Sequence, residues 1–453
     1  MSPILYLLLA SYSLLAAGKQ CANVTVPVNI QARQALFNVP ALHGNADATY
    51  FAQLFTNIGR NYTDDALAGY QSVTGTYEIS AKFCHPDRGT GGNGTVQFLI
   101  HGMGFDKSYW DLPFNNYNYS YIDLAVDKYG FCTVSIDRLG IGNSSHADPL
   151  NVVQAPAEVS AIYEITKMLR GGTFPGVTAK FHKVAHVGHS FGSVQSYMLS
   201  ALDPSVSDAL VLTGWSNNHT WLPQTLADWN IHLARLNQPL RFGSPALDFV
   251  STLLAKPNVP SNSRPDLVAV LSKAFQDLGV DLDNDDLWEI IATTEIGDII
   301  NGANDTVPPV PQDLPSGYVT WSDYTANQFA FLTPPFFDPA IGLFAESTKQ
   351  PVTLGEIFTL GNGAPETTPF TGPVLVFTGR QDAIYCGGDC LAAGGDSDSI
   401  PEQARTAFPN ARSFEVYIQP DIGHGISFHY NSTAAYEVIQ KWLVQQGLGG
   451  SYM

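Results

Sequence analysis

Charge is what this sequence has least of. Asp, Glu, Lys and Arg together make 14% of its 453 residues, where a soluble domain ordinarily carries about a quarter. Basic residues are the scarcer kind: 22 Lys and Arg against 41 Asp and Glu leave a formal net charge of −19. A nucleic-acid binder needs a basic face, so that class is set aside, and the acidity keeps the chain apart from anionic surfaces. Beyond the first residues no long apolar run occurs, which argues against stable membrane insertion. Cysteine is sparse and odd in number, five in all. No His pair accompanies the cysteines at ligand spacing, so the residues give no support for a metal site. Internal repeats and low-complexity tracts are missing as well.

The one apolar stretch that stands out is at the start. Ile4 to Ala10 and Leu14 to Gly18 are separated by Ser11 and Ser13 and end in small residues, too short for a span of about 20 residues. Residues 1–18 therefore read as a signal peptide cleaved near Gly18, although the usual positive n-region is lacking. N-x-[ST] sequons at Asn23, Asn61, Asn93, Asn118, Asn143, Asn218, Asn304 and Asn431 point the same way, to a secreted, extracellular glycoprotein. In that compartment the spacing Cys386-Gly-Gly-Asp-Cys390 permits a tight local disulfide. Cys21 and Cys84 then form the remaining pair, and Cys132, inside the apolar run Phe131–Ile136, is left as a buried thiol.

A chain of this length is expected to fold as one large α/β domain carrying an insertion, or as two domains. Residues 22–34 and 71–83 alternate like strands with one wet face. Thr95–Ile100, Phe131–Ile136, Val184–Gly188 and Ala209–Gly214 are compact apolar runs, and helical spacing appears over Ala155–Leu169 and Phe191–Leu202. That cadence predicts an α/β fold with a mostly parallel, doubly wound sheet. Pro373–Gly379, Ser413–Gln419 and a last helix near Thr433–Gln446 continue it, so the core is assigned to 19–214 and 372–453. Between them, 215–371 reads as an inserted helical cap over the carboxyl edge of the sheet. Its expected helices are Leu226–Leu236, Pro265–Leu278, Asp285–Ile300 and Asp338–Ser347, divided by Pro-rich joints and with no clear strand.

Val184-Ala-His-Val-Gly-His-Ser-Phe-Gly-Ser193 is the stretch on which function turns. Ser190 lies between Gly188 and Gly192 at a strand-to-helix junction, where glycines two before and two after clear the space a strained elbow needs. The plainer reading is a serine in an ordinary packed turn. Its context favours chemistry, because a hydroxyl nucleophile needs a base and the base an orienting acid, and both follow at strand ends. Gly379-Arg-Gln-Asp382 supplies Asp382, and Gly423-His-Gly425 supplies His424. His429 is a competing base and Asp421 a competing acid. His101-Gly102-Met103-Gly104, directly after a buried strand, can turn backbone N–H groups toward a ligand, or can be a simple turn.

With His101-Gly102, Asp137-Arg-Leu-Gly-Ile-Gly-Asn-Ser144, Gly188-His-Ser-Phe-Gly192, Gly379-Arg-Gln-Asp382 and Gly423-His-Gly425 together, the chain resembles the α/β-hydrolase superfamily. Within it the chain is similar to capped, secreted fungal esterase-like hydrolases. The resemblance implies the α/β-hydrolase fold, Ser190 as nucleophile, His424 as base and then acid, Asp382 holding the imidazole, and the N–H groups of Phe191 and Met103 as the oxyanion hole. It implies no cofactor and a small to medium apolar ester or lactone as substrate. A serine nucleophile separates the chain from the epoxide hydrolases and haloalkane dehalogenases of the superfamily, which use aspartate. Leu139 departs from the pattern, since many relatives carry a glycine there. The same triad would also serve a proline-preferring aminopeptidase, for which Asp285, Asp286 and Glu289 are candidate amine ligands, or an acyl transferase. A non-catalytic binder on the same scaffold is the reading from a different class.

Overall fold

The computed structural model describes residues 18–87, 94–243, 312–361, 364–393 and 397–449. Its strands are β1 (Lys19–Phe37), β2 (Leu67–Pro86), β3 (Thr95–Ile100), β4 (Cys132–Ile136), β5 (Lys183–His189), β6 (Ala209–Thr213), β7 (His232–Leu233), β8 (Tyr318–Thr320), β9 (Val352–Thr353), β10 (Pro373–Gly379) and β11 (Ser413–Gln419). Eight of them form one sheet in the order β1-β2-β4-β3-β5-β6-β10-β11. From β4 to β11 every pairing is parallel, whereas β1, β2 and β4 pair antiparallel.

Burial explains which strands read as continuous apolar runs. β3, β4, β6 and β10 are buried at every position, because crossover helices cover both faces of the parallel part. On one face Ala157, Ile162 and Ile165 of the helix Ala155–Gly171 pack with Phe98 and Val134. On the other, Ile439 and Leu443 of the helix Ser432–Leu443 share a core with Val187 and Val376. β1 and β2 lie at the sheet margin with one face wet, so their burial alternates, Val26, Val28 and Ile30 inward. Their register sets Cys21 opposite Cys84, and the two form a disulfide. Cys386 and Cys390 form the other, and Cys132 is a buried free thiol.

The segment between β6 and β10 differs from the expectation of helices alone. β7, β8 and β9 make a small antiparallel sheet, pairing His232 with Thr320 and Val319 with Val352. Strands of two or three residues are too short to show an alternation. The helix expected over 226–236 is Leu222–Trp229 instead. It stops at Asn230, whose φ of 40° is left-handed, and β7 follows. Pro339–Ser347 is helical as expected, while the helices Tyr324–Phe331 and Leu354–Thr359 were not expected, although Asp323 caps the first and Thr353 with Glu356 forms a capping box at the start of the second. The expected helices 265–278 and 285–300, with Asp285, Asp286 and Glu289, lie outside the described residues.

No helix among the described residues is long and apolar enough to cross a membrane, and residues 1–17 lie outside them. Of the sequon asparagines, Asn23, Asn61, Asn118 and Asn143 are exposed and Asn218 and Asn431 half-buried, while Asn93 and Asn304 fall outside the described residues.

Candidate active site

Parallel strands end on one edge of the sheet, and the strand order decides what meets there. β3 and β10 flank the β5–β6 pair, and β11 lies beyond β10. The loops after β3, β5, β10 and β11, which carry Met103, Ser190, Asp382 and His424, therefore converge.

Ser190 occupies a sharp turn, with φ 53° and ψ −117°, between β5 and the helix Phe191–Leu202. The two glycines around it are required by contact. A Cβ at Gly188 would lie 2.4 Å from Gly192 O, and one at Gly192 would lie 2.2 Å from Ile100 O. Both obstacles are backbone, which cannot yield as a flexible side chain would. Ser190 N–H donates to Thr213 O (2.9 Å), and Ser190 O accepts from Ser193 N and Val194 N, fixing the turn from both sides.

Asp382 is fully buried and every lone-pair direction of its carboxylate is used. Oδ1 accepts from Ile384 N and Tyr385 N, each at 2.9 Å, and Oδ2 accepts from Thr378 Oγ1 and His424 Nδ1, each at 2.8 Å. Burial pushes the carboxyl up, but the facing imidazole and these hydrogen bonds outweigh it and hold Asp382 below the ordinary carboxylate range. With Nδ1–H committed to Asp382, the lone pair of His424 is on Nε2, which is buried and has no partner among the described residues. That tautomer is the one a general base requires.

Neither competitor has this geometry. Asp421 is exposed on the turn after β11. His429 is a strut for the loop that carries His424: its Nε2 accepts from Gly423 N and Thr333 N, each at 3.1 Å, and its Nδ1–H donates to Gly425 O at 2.9 Å. Burial lowers its pKa to about 4, so it stays neutral.

The loop after β3 is gripped on either side of Met103. Gly102 O accepts from His101 Nδ1 (2.8 Å) and Arg138 Nη2 (3.4 Å), and Gly104 O accepts from Gln350 N (2.9 Å). Arg138 is itself wholly buried, lies 4.9 Å over the Phe191 ring and bonds both Glu158 and Glu356. Burial, helped by Glu356 against the pull of Arg138, holds the Glu158 carboxyl well above the ordinary value. This network was not singled out from sequence, whereas His429, beside an aromatic residue, was legible as a packing residue though not as a strut. Glu158 left a signal, since it sits on the buried stripe Ala161, Ile162, Ile165 and Leu169 of its helix. Leu139, where a glycine was the familiar residue, is buried in the core, and the left-handed positions of its loop fall on Gly140 (φ 85°) and Gly142 (φ 58°).

Ser190 opens on a cavity of about 220 Å³ lined by Met103 and by apolar side chains such as Leu226, Trp229, Phe331, Ile357 and Ile384. Among the described residues no cluster of His, Cys, Asp or Glu is arranged to hold a metal ion. The arrangement has the parts for acyl transfer: a hydroxyl on a strained elbow, an oriented imidazole, and the N–H groups of Phe191 and Met103, which find no acceptor among the described residues.

A family model described as alpha/beta hydrolase family matches residues 98–438. The chain belongs to the alpha/beta hydrolase family. Among solved structures this hydrolase is similar in fold to a thermophilic esterase from Thermogutta terrifontis, at 15% identity and TM-score 0.39 over 82% of this chain and 95% of that one. It is also similar to an alpha/beta hydrolase fold protein from Chitinophaga pinensis (14%, TM-score 0.40, 81% and 94%) and to an epoxide hydrolase from Vigna radiata (14%, TM-score 0.39, 82% and 93%). No curated protein matches the chain.

Proposed function

We propose that this protein is a secreted serine hydrolase that cleaves carboxylic esters or lactones of small to medium apolar acyl groups. The observation that carries the reading is the 2.8 Å contact of His424 Nδ1 with a fully bonded, buried Asp382, on the same sheet edge as Ser190 and its apolar cavity. In this reading His424 Nε2 takes the proton as Ser190 Oγ attacks the acyl carbon, and returns it to the departing alkoxide. Water then opens the acyl-enzyme by the same steps in reverse. Charge builds on the former carbonyl oxygen, where the Phe191 and Met103 N–H groups would each be worth roughly 3 to 4 kcal/mol. The segment 215–371 serves as a cap that keeps water from the acyl group, and 1–18 directs export, with glycans on the exposed sequons.

Labelling with a fluorophosphonate, followed by peptide mapping, tests the nucleophile: an adduct on Ser190, lost in Ser190→Ala, is expected, and no adduct would favour a non-catalytic binder. Turnover of p-nitrophenyl esters of rising chain length beside aminoacyl anilides tests the substrate class. Faster cleavage of the anilides would replace the esterase by a peptidase.

A further inference from the structure

The residue before Ser190 carries an imidazole that the triad does not use. His189, the last residue of β5, is wholly buried, and its neighbours fix where its proton lies. Nδ1 is 3.2 Å from Thr213 Oγ1, whose single proton is donated to Gly188 O at 2.8 Å. Toward His189 that hydroxyl can only accept, so Nδ1 carries the proton and Nε2 the lone pair. Nε2 is buried and has no partner among the described residues. Burial first, then His424 and His101, keep the pKa well below the usual imidazole range. The ring therefore stays neutral and does not compete with His424 for a proton.

The ring stacks on Tyr109, with centroids 4.4 Å apart and planes 15° from parallel, and stands 4.9 Å from the His424 ring. Phe331 and Tyr385 are each farther from His424, at 5.8 Å. Both imidazoles converge over Gly214, where a Cβ would lie 2.6 Å from His189 Cε1 and 3.2 Å from His424 Cε1. Tyr109 reaches the same loop, its hydroxyl accepting from Ser427 N at 3.4 Å. A bare nitrogen in the interior has a cost that phenylalanine would avoid. What the imidazole adds is a donor: its χ2 is broad by itself, and the bond to Thr213 sets the ring plane.

We propose that His189 is a positioning residue whose ring, oriented by Thr213 and backed by Tyr109, holds the His424 imidazole in register with Ser190. Asp382 fixes Nδ1 of His424 at 2.8 Å but leaves the ring free to tilt about that bond, and a ring packed against it opposes the tilt. Base and nucleophile come from the ends of β11 and β5, with β6 and β10 between them, and His189 ties the two directly because it adjoins Ser190 in the chain. The inference rests on Ser190 being the nucleophile.

Two replacements part the ring from its anchor. His189→Phe keeps a ring on Tyr109 and loses the bond to Thr213, whereas His189→Asn keeps a donor for Thr213 and loses the ring. With a 4-nitrophenyl ester, His189→Asn is expected to lower kcat about a hundredfold, as a displacement of about 1 Å does, and His189→Phe about tenfold, the weight of one hydrogen bond. KM should stay within about twofold in both, because His189 is not on the cavity wall. The far-downfield proton resonance of the bond from His424 Nδ1 to Asp382 should broaden or vanish in His189→Asn. Should that variant not fold, by circular dichroism, Thr213→Val, which frees the ring plane, decides by a fall in kcat of about tenfold. A kcat held within about twofold in His189→Asn whatever its Tm, a His189→Phe slower than His189→Asn, or a loss carried by KM overturns the proposal while Ser190 remains labelled by a fluorophosphonate. No turnover of any ester together with no adduct on Ser190 in the unaltered protein overturns the hydrolase reading, and this inference with it.

Discussion

Neutralising Glu356 asks how a buried arginine keeps its charge balanced. Arg138 has no exposed side-chain area, and Glu158 and Glu356, at 2% and 0%, both bond its Nη1. Two acids on one guanidinium leave one surplus, and the Glu158 carboxyl, pushed up first by burial and then by Glu356, is the group that keeps its proton. In Glu356→Gln the smaller of the two influences that raise Glu158 disappears, and burial is left opposing the pull of a guanidinium that Glu158 no longer shares. Glu158 then ionises and takes over the pairing. The loss is confined to one hydrogen bond, because Glu356 also accepts from Thr353 N at 2.7 Å and an amide cannot accept at both of its ends. That amounts to about 1 to 2 kcal/mol. Glu158→Gln alone should cost about the same. The double variant strands Arg138 in the interior, where an uncompensated charge costs roughly 3 to 5 kcal/mol, so the two substitutions should couple by about 1 kcal/mol.

Urea unfolding followed by Trp fluorescence, with disulfides intact and m-values compared, measures the cycle. Its pH dependence has a definite sign. An acid whose folded pKa lies above its unfolded value binds its proton more tightly in the native state, so its contribution to stability is lost as pH rises from the unfolded value of about 4.3 toward the folded one. Glu356→Gln removes that loss, and its deficit relative to the unaltered protein should narrow between pH 5 and pH 8. A deficit that widens over this range, a single substitution costing 4 kcal/mol or more, or an additive double variant would refute the reasoning.

Three further outcomes are expected. Asp382→Asn should lower kcat by about four orders of magnitude by favouring the wrong imidazole tautomer, whereas Asp421→Asn should be nearly silent in the same ester assay; the reverse pattern would transfer the acid role. Serine at both Cys386 and Cys390 removes a bridge across a separation of 4 residues and should cost at most about 2 kcal/mol, against about 4 kcal/mol for Cys21 and Cys84 across 63, on the loop-entropy model; chemical denaturation should rank the pairs so, and the first should lower kcat the more. His429 and His186, whose pKa values burial lowers to about 4 and about 3, stay neutral in the fold while the unfolded chain takes up protons near pH 6.5. Their stability contribution is therefore complete above that pH and is lost as pH falls through the folded values; His429→Phe should flatten this acid limb in urea titrations, and an unchanged limb would refute it.

What was legible in the sequence is what is locally written. β3 and β10 are legible to the residue because both their faces are buried, so each is a compact, mostly apolar run without a wet face. The elbow was found because its two glycines are needed within five residues of one another. β7 and β9, two residues each, are made by pairing and not by pattern. Tertiary partners are still less visible: Arg138 is 20 residues from Glu158 and 218 from Glu356, and no local rule links them.

Those remote ties nevertheless share one target. A chain with only 22 basic residues buries Arg138 and Lys349 almost completely, beside the same loop. Arg138 reaches Gly102 O and anchors Glu356. Lys349 pairs with Glu346 and donates to Trp321 O at 3.0 Å, while the next residue, Gln350, gives its N–H to Gly104 O and its Nε2 to Asp106 Oδ2 at 2.8 Å. Both carbonyls flanking Met103 are thereby fixed by groups that belong to, or are held by, residues 346–356. A donor aimed at a developing oxyanion is effective when it needs no reorganisation as charge appears. Arg138 and Lys349 join the loop after β3 to the segment between β6 and β10, and in the proposed reaction they supply that rigidity to the Met103 N–H.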